Sequence, residues 1–289
     1  MTKGRLIKEM VEELYGKEMA RIIWSRLDIV GDIAIIKKPF NVDLEALRPL
    51  AEALVERIPY VKSVWAAAGP VEGEFRTRKL VHLAGEHRSE TVYKEHGCTF
   101  KVDICKVFIT PRLSFEHLRV AKLVKPGETV VNMYAGVGTF SIVIAKHGSP
   151  RKVYSIDINP DAYRLMVENV ALNGVEDTVV PILGDAAEVV TKPPIAGSAD
   201  RVLMPLPELA LKHLPSALKA LRDRGTLHIY LHVFVPRGTD PREEAIKAVR
   251  RKFEELGVRS YNFTHARVVR SVGPRRAQVV LDVEVYKEQ

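Results

Sequence analysis

VVNMYAGVGTFSIVIAK, residues 130–146, followed by YSIDINPDA, residues 154–162, decides the fold. The first run reads as an apolar strand, a tight glycine turn and a helix, the second as another strand ending in an acid. Gly136 and Gly138 let the backbone turn sharply and approach a ligand that any side chain would exclude. Asp157, about twenty residues past the turn at the tip of the second strand, is placed to accept the hydroxyls of a ribose. An ordinary strand-to-helix turn followed by a chance acid would look the same. A third element separates the two readings: VVPILGD, residues 179–185, ends the next apolar stretch in a Gly-Asp pair. Strand-GxG, strand-Asp and strand-Gly-Asp in that order describe a nucleoside site.

A dinucleotide fingerprint needs a third Gly or Ala to seat a helix against a pyrophosphate, and here Phe140 stands in that slot. The turn therefore argues for a nucleoside without phosphates, of which S-adenosylmethionine is the common one. In class I methyltransferases the third strand's Gly-Asp, here Asp185, holds the adenine amino group.

The chain has 289 residues, enough for two domains, and 46% hydrophobic with 28% charged residues is a globular composition. No apolar run approaches the roughly 18 residues that suggest a membrane span. The start, MTKGRLIKEMVEELYGKEMARIIW, has an amphipathic helical period and no signal-peptide core. Cys98 and Cys105 sit in no CxxC or His/Cys cluster, so neither structural zinc nor a disulfide framework is expected, and a reducing cytoplasm fits. The net charge of +8 points to a polyanionic partner, although a basic proteome gives similar values without one.

The hydrophobic period changes near the middle of the chain. A strand or hairpin around Gly31 (residues 27–39) follows the first helix, a second helix is predicted over 42–57, and residues 79–107 alternate like a basic hairpin. From Ser114 helices and strands alternate, the signature of a parallel doubly wound sheet. The last strands, 227–235 and 277–286, flank a charged helix over 242–256, and 269–278 reads as a basic terminal loop, whose residues 273–276 read equally as a hairpin turn with solvated charges. The expected architecture is α/β: a small α+β domain over 1–107, and over 108–289 a class I, Rossmann-like methyltransferase domain with a mostly parallel seven-stranded sheet.

GEFRTR (73–78), LAGE (83–86), VDICKVFITPRLSFE (102–116), AGVGTFSI, IDINPDA and DRVLMPLP (200–207) fall in an order that resembles one family. It is that of the archaeal and eukaryotic tRNA methyltransferases acting on N1 of guanosine 37, with their wyosine-pathway relatives. Many members carry a further N-terminal domain contacting the tRNA elbow, and this chain begins where that domain would end. The resemblance implies tRNA as partner, with no membrane and a monomer favoured. It also implies Glu116 as general base, Arg76 as the group that stabilises charge on the base's O6, and Pro205 and Pro207 as walls of the base pocket. The cofactor would be held by Phe108, Arg112, His117, Asn132, Tyr134, Ala135, Gly136, Gly138, Asp157, Ile158, Asn159, Asp185, Ala186 and Pro205.

Physical chemistry supports the assignments without deciding them. N1 of guanine is protonated at neutral pH and becomes a nucleophile when a base removes that proton, while charge gathers on O6. A carboxylate and a guanidinium suit those two tasks. Read alone, Arg76 and Arg78 fit a grip on phosphates better, and Glu116 a first-turn helix acid; His117, where the family usually has Arg near the methionine carboxylate, is equally compatible with a solvated helix histidine, and Arg119 could substitute there.

Three residues depart from the N1-methylating pattern. Asn132 replaces an Asp near the cofactor's amino group, Pro205 replaces an Asn that would hold the base edge, and Phe108 replaces Tyr. Proline leaves no amide there, and the pocket becomes more apolar, which suits a larger tricyclic base. The pattern resembles a branch that methylates N1 of guanosine 37 and C7 of 4-demethylwyosine, the latter giving isowyosine. Aminocarboxypropyl-transferring relatives usually show Gly after the Met of this motif and His where this chain has Thr139, so methyl transfer is favoured. An inactive tRNA-binding protein is the other alternative. Cations for phosphates are offered by 76–79, Lys37, Lys38 and the 269–278 segment. Phe108, Tyr134 and Phe140 are candidates for stacking an extruded base, with core packing favoured for Phe140.

Overall fold

The computed structural model describes residues 3–23, 27–39, 42–73, 75 and 77–287. They form two compact units, Met1–Ser114 and Phe115–Gln289. Arg76, and with it the expected O6 contact, lies outside the described residues.

In the first unit the helix α1, Lys3–Ile23, is interrupted at Gly16. Strands β1, Leu27–Val30, and β2, Ile33–Lys37, form the expected hairpin, which turns on Gly31 and Asp32. Gly31 has φ 57°, and a Cβ there would lie 2.2 Å from the Thr91 hydroxyl and 2.5 Å from the Val92 carbonyl oxygen, so glycine is required. The second helix is shorter than expected. Residues 42–44 are non-helical, Glu45–Leu47 is a 3-10 turn, and α2 runs over Arg48–Arg57. Pro49 falls in its first turn, where a missing N–H costs no hydrogen bond. Strands β3, Ser63–Glu72, and β4, Thr77–Gly85, complete a four-stranded sheet ordered β1-β2-β3-β4, in which β2 and β3 are parallel. The alternating stretch over 79–107 divides: β4 joins that sheet, while β5, Glu90–Glu95, and β6, Cys98–Asp103, make a separate hairpin. Ile36, Leu47, Leu54, Val64 and Leu83 build this unit's core with Ile7, Met10 and Val11 of α1.

The second unit, whose first helix α3 spans Ser114–Leu123, alternates strand and helix. It continues through β7 (Thr129–Asn132), α4 (Thr139–His147), β8 (Lys152–Asp157), α5 (Pro160–Leu172), β9 (Val179–Leu183), α6 (Ala186–Val189) and β10 (Ala199–Met204). Then come α7 (Ala210–Ala220), β11 (Leu221–Phe234), α8 (Pro241–Glu255), β12 (Ser260–Gly273) and β13 (Arg276–Tyr286). Asn159, Asp185 and Asp240 cap α5, α6 and α8 with side-chain oxygens, and Pro160 and Pro241 open α5 and α8. The seven strands are ordered β9-β8-β7-β10-β11-β13-β12. β7, β8, β9, β10 and β11 pair in parallel, while β13 is antiparallel to both neighbours.

The long strand β12 and its hairpin correct the expected terminal loop at 269–278. Gly273 pairs with Arg276, so only Pro274 and Arg275 form the turn. As an edge strand β12 buries little, and its sequence lacks the apolar run that marks the inner strands.

Strand alternation splits β11 and β13 into two faces of different chemistry. Leu227, Ile229, Leu231 and Val233 of β11, with Val279, Leu281, Val283 and Val285 of β13, pack into one apolar core with α7 and α8. The opposite positions His228, Tyr230 and Asp282 are also buried. No described helix is long and apolar enough to cross a membrane.

Candidate active site

Between β7 and β10 the strand order reverses: the chain runs outward through β8 and β9, then crosses back to β10. Ligands of open α/β sheets bind at the carboxyl ends of strands flanking such a point. The glycine turn lies there, with Ala135 donating its N–H to the Ile156 carbonyl and Gly138 to that of Ala135. Gly136 and Gly138 have φ 56° and 91°. A Cβ on Gly138 would come within 3.1 Å of Met166 and 3.2 Å of Ile142, so the turn also seats α4 closely.

Asp157 ends β8 and locks this turn. Its Oδ2 accepts the Gly136 N–H at 2.7 Å and its Oδ1 the Asn159 N–H at 2.9 Å. Burial pushes its carboxyl above the ordinary carboxylate range despite these hydrogen bonds. The Ile158 N–H acts on the same carboxylate, which offers about four acceptor positions, so capacity for a ribose hydroxyl remains. Ile158 is half-buried, Asn159 is buried with its side chain on the Asp161 N–H, and Asp185 is exposed, capping α6 ahead of the buried Ala186.

Two residues differ in placement from expectation. Asn132 is fully buried: its Nδ2 donates to the Ser141 hydroxyl at 3.1 Å and its Oδ1 accepts the Tyr134 N–H at 3.4 Å, so it braces the turn from below. His117 is no solvated helix residue; it is buried edge-on against Phe140, with ring centroids 4.3 Å apart. Phe140 packs in the core, as its position predicted. Tyr134 is half-buried and its phenol meets His213 Nδ1 of α7 at 2.7 Å. Burial raises the Tyr134 phenol and lowers His213 from their ordinary values, which makes the pair a neutral O–H to nitrogen hydrogen bond. His213 carries no motif that the sequence could have flagged. Pro205, Leu206 and Pro207 leave the end of β10 half-buried.

Phe108 and Arg112 belong to the first unit. Arg112 binds Asp28 at 2.7 Å, and Lys37 binds the same carboxylate at 2.8 Å. Lys38 donates to the Val42 carbonyl. Lys37 and Lys38 are thus engaged within the fold, where the sequence suggested phosphate ligands.

Glu116, in the first turn of α3, is 1% exposed and receives three donors. Its Oε2 accepts from Arg119 Nε at 2.9 Å and from the Tyr230 hydroxyl at 3.0 Å, and its Oε1 from Arg267 Nη1 at 2.5 Å. Arg119 continues to Asp282 through two bonds of 2.6 and 3.2 Å. Asp282 meets His228 Nδ1 at 2.6 Å, and His228 Nε2 meets Arg201 Nη1 at 2.9 Å, while Arg201 also binds Glu128. An arginine can only donate, so His228 accepts at Nε2, is neutral, and donates from Nδ1. Burial holds its pKa below the ordinary value, consistent with that tautomer. Burial opposes the charge on Asp282, yet His228 and Arg119 hold its carboxyl well below the usual range. Sequence reading named Glu116, but raised Arg119 as a substitute near the methionine carboxylate, whereas Arg119 is taken up by Glu116 and Asp282. That reading missed Arg267, Tyr230, Asp282 and His228, whose one signal was polar residues alternating inside apolar strands.

The strand order, the lone antiparallel strand and a glycine turn locked by an acid at the switch point define a class I methyltransferase. The chain belongs to the TRM5/TYW2 methyltransferase family. Residues 91–260 match the TRM5/TYW2 methyltransferase domain and residues 7–88 the TYW2 N-terminal domain. The chain is 45% identical to the tRNA 4-demethylwyosine(37)-methyltransferase Taw21 of Saccharolobus solfataricus, covering 91% of this chain and 94% of that one. It is 39% identical to the tRNA (guanine(37)-N(1))-methyltransferase Trm5b of Pyrococcus abyssi, over 93% and 77% of the two chains. Among solved structures it resembles aTrm5 in complex with tRNALeu, with a TM-score of 0.84 and 35% identity, covering 99% of this chain and 79% of that one.

Proposed function

We propose that this chain is an S-adenosylmethionine-dependent tRNA methyltransferase acting on position 37, at N1 of guanosine, C7 of 4-demethylwyosine, or both. The observation that carries the cofactor reading is Asp157, anchored on the Gly136 and Asn159 amides at the switch point with acceptor capacity left for a ribose. Gly136, Gly138, Asp157 and Asp185 would hold the adenosine, and Asn132 would act by bracing the turn. When bound, the cofactor supplies an electrophilic sulfonium methyl, and the protein's part is alignment, an effect worth several kcal/mol or more in order of magnitude.

Glu116 would take the proton from the base. Oε2 is filled by Arg119 and Tyr230, so Oε1, which here accepts from Arg267 alone, is the oxygen that would take that proton. Arg76 would carry the complementary positive charge for O6. Pro205 and Phe108, together with the Saccharolobus solfataricus relative, support the 4-demethylwyosine branch. The domain division at 107/108 is proposed on the same basis, the N-terminal part contacting RNA.

Incubating tRNA with cofactor labelled separately in the methyl and the carboxypropyl carbons tests the reaction. Methyl label is expected in the tRNA. Carboxypropyl label would identify an aminocarboxypropyltransferase, and no label from either, without detectable cofactor binding, an inactive tRNA-binding protein.

A further inference from the structure

We propose that Arg267 is a latch that RNA opens: in the free protein it covers the working oxygen of Glu116, and an RNA phosphate draws it away. The proposal rests on the reading of Glu116 as the base.

The two carboxylate oxygens of Glu116 are held in unlike ways. Oε2 is fixed by Tyr230 and by Arg119, which is itself gripped twice by Asp282, which is held by His228 and, beyond it, Arg201. Every member of that chain is buried or nearly so. Withdrawing Arg119 would strip an ion pair from both Glu116 and Asp282, which costs several kcal/mol, on the order of 3–5. Oε1 is different: its donor comes from the sheet's edge strand, and the Arg267 side chain is 35% exposed. On its outer side Arg267 lies 3.9 Å from the ring centroid of Phe115, itself 59% exposed.

A guanidinium stays cationic at any working pH, so it cannot release Oε1 by losing a proton; it must move. A phosphate offers the same bidentate acceptor geometry as a carboxylate, and Arg267 is the member of the cluster with a path to solvent. RNA binding would thus exchange one ion pair for another and leave Oε1 open for the proton of the base. Without RNA the carboxylate stays covered.

This exchange predicts a competition visible in binding. The affinity of an in vitro transcribed tRNA with guanosine at position 37 is measured over a range of salt for the wild type, Glu116→Gln, Arg267→Ala and the double variant, alongside single-turnover rates. Glu116→Gln frees Arg267, so tRNA should bind tighter, by about fivefold. Arg267→Ala should bind about fivefold more weakly, with the slope of log affinity against log salt reduced by about 0.7 to 0.9, one phosphate's worth. The gain from Glu116→Gln should vanish when Arg267 is absent. Equal or weaker binding by Glu116→Gln, or a gain that persists without Arg267, overturns the latch. Should Glu116→Gln fold poorly, Arg267→Ala alone decides: unaltered affinity and slope overturn the proposal. An undiminished single-turnover rate in Glu116→Gln removes the base reading itself, and the latch loses its purpose even where the affinities compete.

Discussion

Gly138 holds the cofactor turn at a φ of 91°, where a Cβ would meet Met166 and Ile142. The backbone strain and the contact act together, since α4 starts at the next residue and the Met166 and Ile142 side chains would have to give way. Gly138→Ala is expected to lower stability by about 1–3 kcal/mol and to weaken cofactor binding by a comparable factor, read by thermal unfolding with and without S-adenosylmethionine. A variant as stable as the wild type would mean that α4 shifts freely, and the turn would then not be the rigid cradle described above. At the same scale the Asn132 amide joins the Ser141 hydroxyl to the Tyr134 N–H, which fixes the strand end from which the turn departs. A neutral amide can both donate and accept there, whereas an ionised aspartate only accepts and would leave the Ser141 hydroxyl as its donor.

At the scale of the elements, α3, β11 and β13 are joined by the buried chain from Glu116 to Arg201, and Asp282 is its centre. Its carboxyl is held well below the usual range, so its contribution to stability is present above the unfolded carboxylate value and is lost as pH falls through the folded one. His228, held below its ordinary value by burial, acts in the same direction: the unfolded chain binds its proton first, so stability falls as pH drops below about 6.5. Asp282→Asn removes one of the two carboxylates that hold Arg119, leaving it to Glu116 alone, and should cost about 3–5 kcal/mol near neutral pH, a deficit that narrows in acid. Urea midpoints of the two proteins between neutral and acidic pH check this, and a deficit independent of pH would refute the linkage. The inner strands β7 and β8 were legible because strands buried on both faces read as apolar runs, and the GxG and the acid sit at their ends. The edge strand β12 was not, since half-exposed alternation with several arginines also describes a basic loop. Nor was the buried chain: Arg119 and Asp282 are 163 positions apart, and Glu116 and Arg267 151, so no local spacing announces them. Lys37 illustrates the converse, a cation that looked available for phosphate and is engaged with Asp28.

Over the whole molecule the net charge of +8 overstates what RNA can use in some places and locates it in others. Arg88, Arg112, Arg119 and Arg201 hold carboxylates of their own units, whereas Arg275 and Arg276 are exposed at the β12–β13 hairpin, where Arg275 lies over the exposed ring of Phe234. Long-range attraction of this kind brings tRNA in but does not choose between two bases at position 37; that choice belongs to the pocket. Pro205, proposed as a wall of that pocket, departs from the guanosine-methylating pattern in lacking both the N–H and the amide side chain that would hold the edge of a guanine. A hydrogen bond to a base edge contributes about 0.5–1.5 kcal/mol, so Pro205→Asn should shift the ratio of single-turnover rates toward guanosine by about twofold to tenfold. The comparison uses two tRNAs identical except for guanosine or 4-demethylwyosine at position 37, which cancels the charge contribution and isolates the pocket. A ratio that does not move would place the discrimination elsewhere and remove Pro205 as the reason for favouring the tricyclic substrate.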